Sequence, residues 1–146
     1  MRSIAELESA IDAVDPGADP QTAAAELLGI GEEVLENWIA AKGVQPTRDT
    51  REGFRLLALH RQGTKGDPSF NACRETCREL AYYYNLVTMQ SEHTETTDRA
   101  SMMKMISNHL YLFVSGKMQV AELGDFCCSS KPIRQADVDN AVTKEA

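Results

Sequence analysis

The chain has 146 residues, a formal net charge of −7 and four cysteines. This length is that of one ordinary domain, which can bury a hydrophobic core without disulfide or metal cross-links. No run approaches the roughly 18 apolar residues that a membrane span needs. The acidic residues near the start do not suit a secretory signal peptide. We therefore predict a cytoplasmic protein that does not associate with membranes.

The negative charge lies in the first third of the sequence. Residues 1–47 carry 9 acidic and 2 basic side chains, whereas acidic and basic residues balance over 48–146. The segment 48–78 is mildly basic. A protein that binds nucleic acid needs a cationic surface to displace phosphate counterions. The charge pattern therefore predicts that nucleic acid is not a partner.

Six helices are predicted from capping residues, helix breakers and apolar spacing. Ser3 and Glu6 form a capping box before the first helix. Asp19-Pro20 and Asp67-Pro68 repeat one start signal, an N-cap residue followed by proline in the first turn. The six predicted helices cover about 4–14, 19–29, 31–41, 49–62, 68–90 and 97–115.

These elements predict an all-α fold, because no stretch alternates apolar and polar residues as a strand does. The two longest helices, 68–90 and 97–115, are joined by a short loop and should form an antiparallel hairpin at the centre of a single domain. Within that domain we expect an acidic helical subunit at 1–47, a helical core at 48–133 and a frayed tail at 134–146.

Residues 20–46 carry a pattern of small and apolar positions with a glycine at its middle. The pattern comprises Ala24, Ala25, Leu27, Leu28, Gly29, Ile30, Val34, Leu35, Trp38 and Ile39. It resembles the helix-turn-helix of excisionase and MerR-type regulators. The resemblance implies a tight turn at Gly29 and a second helix that enters the major groove of DNA.

Three carboxylates distinguish this segment from that family. Glu32, Glu33 and Glu36 stand where the family's second helix carries basic or polar residues. They would face a polyanion, so the sequence predicts the scaffold without the DNA binding. An acidic helix of this kind suits a protein partner with a basic face.

The cysteines and one histidine are the candidate metal ligands. Cys73 and Cys77 are one helical turn apart, so both thiols lie on one face of a helix. Cys127 and Cys128 follow the last long helix, and His109 lies on that helix. Thiolates with imidazole or thioether neighbours suit a soft metal ion such as Cu, Zn or Fe. Three interpretations stay open: buried core residues, a metal site, or a reversible redox pair.

Three successive tyrosines extend the evidence for protein contact. Tyr82, Tyr83 and the next residue cannot all face one core, so at least one ring is exposed, as is common at interfaces. No catalytic motif is present, and no cofactor is predicted. We therefore expect an accessory or regulatory protein that binds another protein, with homo-oligomers allowed. The alternative is a thiol-dependent metal-binding or redox protein.

Overall fold

The fold is all-α. The computed structural model describes residues 1–121, and these residues contain no strand. No helix within them is long and apolar enough to cross a membrane. The elements are α1 (Ile4–Ala13), α2 (Pro20–Ala41), α3 (Arg55–Gly63), a 3₁₀ helix (Pro68–Cys73), α4 (Arg74–Met89) and α5 (Thr96–Val120). The residues Met1–Val114 form one compact unit.

The predicted helix starts at the N-terminus are confirmed. The Ser3 hydroxyl accepts a hydrogen bond from the Glu6 amide, and the Glu6 carboxylate accepts one from the Ser3 amide. At α2 the Asp19 carboxylate accepts from the Thr22 amide, with Pro20 as the first helical residue. These caps satisfy amides that lack partners inside the helix.

The predicted turn at Gly29 is wrong. Residues Pro20–Ala41 form one continuous helix of 22 residues, so the helix-turn-helix suggested by residues 20–46 is not present. Gly29 is also not among the residues with a positive φ angle. A glycine in a helix interior weakens the helix by only about 1 kcal/mol, which the burial of eight α2 side chains outweighs.

Gly31 has a packing role instead. A Cβ at this position would lie 2.8 Å from Cδ2 of Leu80 and 3.3 Å from Cδ1 of Leu56. The missing side chain therefore lets α3 and α4 approach α2 closely. The small residues of this segment do allow helices to approach closely, as the pattern predicted. The approach is that of α3 and α4 to α2, and not of two helices joined by a turn at Gly29.

Two other predicted boundaries need correction. The long helix predicted over 68–90 begins as a 3₁₀ helix, Pro68–Cys73, before α4 starts at Arg74. The last helix does not end at Gly116 but continues to Val120. Five α-helices and one 3₁₀ helix therefore replace the six predicted helices among the described residues.

The core is organised around α2, which packs against α1, α3 and α4. Trp38 of α2 is 1% exposed and stacks on Phe70 at 4.7 Å between ring centroids. Its indole nitrogen donates a hydrogen bond to the Gly63 carbonyl at 3.1 Å. Phe70 also contacts Phe113 of α5. The antiparallel pairing of α4 with α5 stays a prediction, and the predicted tail at 134–146 lies outside the described residues.

Candidate functional site: a buried thiol pair beside a histidine

The two helix cysteines lie where the 3₁₀ helix passes into α4. Cys73 is the last residue of the 3₁₀ helix and the N-cap of α4, and Cys77 lies one turn further on. Cys73 is 2% exposed and Cys77 is fully buried. A thiol at the N-terminus of a helix lies near the positive end of the helix dipole, which favours its ionised form.

The two thiols share a hydrogen bond, which separates their acidities. With Cys77 as donor, the pKa of Cys73 falls from 9.0 to about 6, although burial opposes the change. The pKa of Cys77 is raised, because its proton is held by Cys73 and its surroundings are dry. The Cys73 thiol also donates a hydrogen bond to the Phe70 carbonyl at 3.3 Å. The acidities of the two thiols are therefore shifted in opposite directions, that of Cys73 toward the thiolate and that of Cys77 toward the thiol.

His60 of α3 is the third member of the site. Its hydrogen bond and its charge both contribute to the lowered pKa of the Cys73 thiol. The imidazole is only 7% exposed and lies over Phe70 at 6.0 Å between ring centroids. The Nε2 atom has no hydrogen-bond partner among the described residues. A buried nitrogen without a partner is costly unless it serves a site or a ligand.

The sequence prediction of this site was incomplete. It did not include His60. The signal for burial was present, because His60 follows Leu56 and Leu57 by four and three residues on a helix whose apolar face is buried. Contact with Cys73 could not be predicted, since it depends on how α3 packs against the start of α4.

The remaining predicted ligands are not brought to this pair by the described structure. His109 is exposed on α5, whereas Cys73 and Cys77 are buried. Cys127 and Cys128 lie outside the described residues. Within residues 1–121 no group of three or more His, Cys, Asp or Glu side chains is placed to hold a metal ion. The proposed Cu, Zn or Fe site therefore has no described geometry.

The carboxylates predicted to face a partner are engaged within the chain. Glu33 accepts two hydrogen bonds from the Arg2 guanidinium, at 2.8 and 3.2 Å. Arg55 lies 2.7 Å from Glu36 and 3.7 Å from Glu32. Burial raises the pKa of Glu32, and the hydrogen bond from Arg2 lowers that of Glu33. These internal ion pairs reduce the negative surface that a basic partner could use.

Most of the large exposed apolar side chains among the described residues lie on α4 and α5. Tyr82 is 59% exposed on α4, and its ring meets that of half-buried Tyr83 edge to face. On α5, Met102, Met105 and Leu112 are exposed, as is His109. Their spacing of three and four residues places them along one side of the helix. We call these four residues the α5 outer face.

Comparison of the chain with protein-family models, with curated proteins and with solved structures found no significant match. The defining feature of the site is a buried pair of thiols, one at a helix N-terminus and beside a histidine.

Proposed function

We propose that this protein works through a redox-active thiol pair, in which Cys73 reacts and Cys77 completes a reversible disulfide. The observation that carries the proposal is the contact of the two buried thiols at the start of α4, with His60 beside Cys73. If Cys73 and Cys77 only filled the core, the buried His60 nitrogen without a hydrogen-bond partner would have no role beside them.

The chemistry follows from the different acidities of the two thiols. The Cys73 thiolate attacks a peroxide oxygen, forming a sulfenic acid and releasing water after a proton is taken up. The Cys77 sulfur then attacks the Cys73 sulfur, and a second water leaves as the disulfide forms. Two thiols are oxidised and one peroxide is reduced to two waters. Two external thiols, or one dithiol, reduce the disulfide by thiol–disulfide exchange and are themselves oxidised to a disulfide.

The geometry permits a disulfide between these positions. Two residues one turn apart on an α-helix have Cα atoms about 6 Å apart, within the range that disulfides span. The bond would form with some strain, which raises the reduction potential and suits a reversible pair. Burial keeps the thiols from general reaction, so oxidation should be selective.

The proposal is tested by peptide mapping of folded protein after limited exposure to hydrogen peroxide. We expect a Cys73–Cys77 disulfide that dithiothreitol removes. A Cys77→Ser variant should stop at the sulfenic acid on Cys73, which a dimedone probe labels. A Cys127→Ser/Cys128→Ser variant should form the same disulfide, since the described site does not include those residues.

Two results would overturn the redox proposal. One is a wild-type protein whose helix cysteines stay reduced until it is unfolded. The other is a stoichiometric metal in protein purified under reducing conditions, lost in a Cys73→Ser/Cys77→Ser variant. The second result would restore the metal-binding alternative.

A second candidate function is protein binding through the α5 outer face. Met105 and Leu112 are 53% and 54% exposed, and apolar positions at this spacing are the type that pack against another helix. The predicted hairpin of α4 and α5 would present Tyr82 on the adjacent helix. The occupant that this pattern fits is an amphipathic helix of another protein.

Site-specific cross-linking separates this candidate from the first. A photo-reactive residue at Leu112 should capture one defined protein, and the same residue at exposed Glu75 should not. Met105→Glu should abolish the capture while leaving the circular dichroism spectrum unchanged. Equal capture from both positions would reject a specific interface. Sedimentation of the purified protein identifies a second copy as the occupant.

A further inference from the structure

A cleft of about 160 Å³ between α3 and the start of α4 is lined by cationic side chains. Its walls include four arginines, Arg51, Arg61, Arg74 and Arg78, with His60, Asn71, Thr64 and Leu57 completing the lining.

The carboxylates near this cleft only partly balance its charge. Arg78 donates two hydrogen bonds to Glu52, at 3.0 and 2.9 Å, and Arg51 lies 3.9 Å from the same carboxylate. Arg74 lies 2.7 Å from Glu75. These pairs are exposed on the surface, where such pairs contribute little stability. Arg61 has no carboxylate partner among the described residues. The cleft therefore keeps a net positive charge that an anion would neutralise.

His60 adds a buried nitrogen to this wall. It lines the cleft, yet it is only 7% exposed and its Nε2 has no hydrogen-bond partner among the described residues. Asn71 is exposed at the same wall and supplies an amide. The exposed Asn71 amide could donate to an incoming ligand oxygen, and the His60 ring lies directly behind that wall.

The type of cation indicates the type of anion. Guanidinium groups present paired N–H donors that match the oxygens of a phosphate or carboxylate, and hydrogen bonds to charged groups are the strong ones. The four guanidinium groups around this small cleft present more N–H donors than the two oxygens of a single carboxylate can accept. A phosphate group offers three terminal oxygens and up to two charges.

We propose that this cleft is a binding site for the phosphate group of a small phosphorylated molecule, held by Arg61 and Arg74 with Arg51, Arg78 and His60 around it. The cleft admits a phosphate and a few further atoms, so the ligand is a small ester or free phosphate. This proposal does not depend on the thiol chemistry, although His60 belongs to both sites.

The proposal is tested by titration calorimetry of the full chain with inorganic phosphate, glycerol phosphate and citrate. We expect both phosphates to bind, with affinities that fall as salt is added, and citrate to bind at least about tenfold more weakly. Tighter binding of glycerol phosphate than of inorganic phosphate identifies an ester as the ligand, and the reverse order identifies the free ion.

Matched variants locate the binding. Arg61→Ala and Arg74→Ala should each weaken phosphate binding at least about tenfold, the loss expected for one charged hydrogen bond. Arg48→Ala removes an exposed arginine outside the cleft and should leave affinity unchanged. In nuclear magnetic resonance spectra, phosphate should shift the ring signals of His60 but not those of exposed His93 and His109. No heat from the wild type at millimolar phosphate, or equal losses in all three variants, would overturn the proposal.

Discussion

Two glycines on α2 show how one residue type can have opposite roles. A Cβ added at Gly29 would meet no atom within 4 Å, whereas one added at Gly31 would press on Leu80 and Leu56 at 2.8 and 3.3 Å. Both neighbours are fully buried, so they cannot move aside without disturbing the core. The sequence pattern predicted a structural role for Gly29, a turn that is not present, and gave no role to Gly31, where the helices approach closely.

The difference predicts opposite effects of alanine on stability. Gly29→Ala should raise the free energy of unfolding by about 0.5–1 kcal/mol, because alanine favours a helix interior. Gly31→Ala should lower it by about 1–3 kcal/mol, because the added methyl overfills a packed core. Urea denaturation of the two variants measures both values. A loss at Gly29 would instead favour a turn there, as the helix-turn-helix resemblance implied.

The candidate site could be predicted from the sequence only in part. The spacing of Cys73 and Cys77 was enough to place both thiols on one helical face, since that relation is local. Their contact with His60 is not local, because His60 and Cys73 are 13 positions apart in the sequence and lie on different helical elements. Long-range packing of this kind leaves no simple pattern in one sequence.

At the scale of elements, hydrogen-bonding caps were predictable and helix continuity was not. Ser3 and Asp19 act on amides within three residues, so the sequence alone defines the start of α1 and α2. Gly29 and Gly116 both looked like helix ends, yet α2 and α5 continue through them. A glycine ends a helix only when packing against neighbouring elements does not keep the chain helical at that position.

The C-terminal end of α1 is held by a residue from α5. The Lys104 ammonium donates hydrogen bonds to the carbonyls of Asp12 at 3.1 Å and Val14 at 2.8 Å. Carbonyls at a helix C-terminus lack internal partners and attract a positive charge. We predict that Lys104→Met lowers the free energy of unfolding by about 1–2 kcal/mol, the effect of losing charged hydrogen bonds that are partly exposed.

Lys65→Met is the control for this prediction, since Lys65 is exposed and remote from α1. It should change stability by less than about 0.5 kcal/mol. Hydrogen exchange should be faster at the last amides of α1 in Lys104→Met than in the control. Unchanged exchange there would mean that the lysine does not secure the helix.

At the scale of the whole molecule, the acidic first third is partly neutralised by folding. Arg2 pairs with Glu33 from within that third, and Arg55 brings a charge from the balanced region to Glu32 and Glu36. The charge asymmetry of the sequence therefore gave a poor guide to the surface. The net charge of a sequence segment indicates which partners it attracts only once the ion pairs inside the folded protein are known.

Two of these carboxylates are predicted to affect stability in opposite directions. The hydrogen bond from Arg2 lowers the pKa of Glu33. The stabilisation that this carboxylate gives is therefore present above its ordinary pKa of 4.5 and is lost as the pH falls through its folded-state pKa. Burial raises the pKa of Glu32, so folding disfavours the charged carboxylate. The contribution of Glu32 to stability is therefore lost as the pH rises through its folded-state pKa.

Glu33→Gln should therefore lower Tm at neutral pH. The loss of unfolding free energy should stay below about 1 kcal/mol, because the Arg2–Glu33 pair is partly exposed. Glu32→Gln should leave Tm unchanged or raise it, since Arg55 keeps Glu36 at 2.7 Å. Thermal denaturation at neutral pH and at about pH 3 measures both effects, and the two variants should converge with the wild type at the acid end, where both carboxylates are protonated. Equal losses of Tm in the two variants at neutral pH would show that burial of Glu32 is compensated by its contact with Arg55, and that the two sites do not differ as their surroundings indicate.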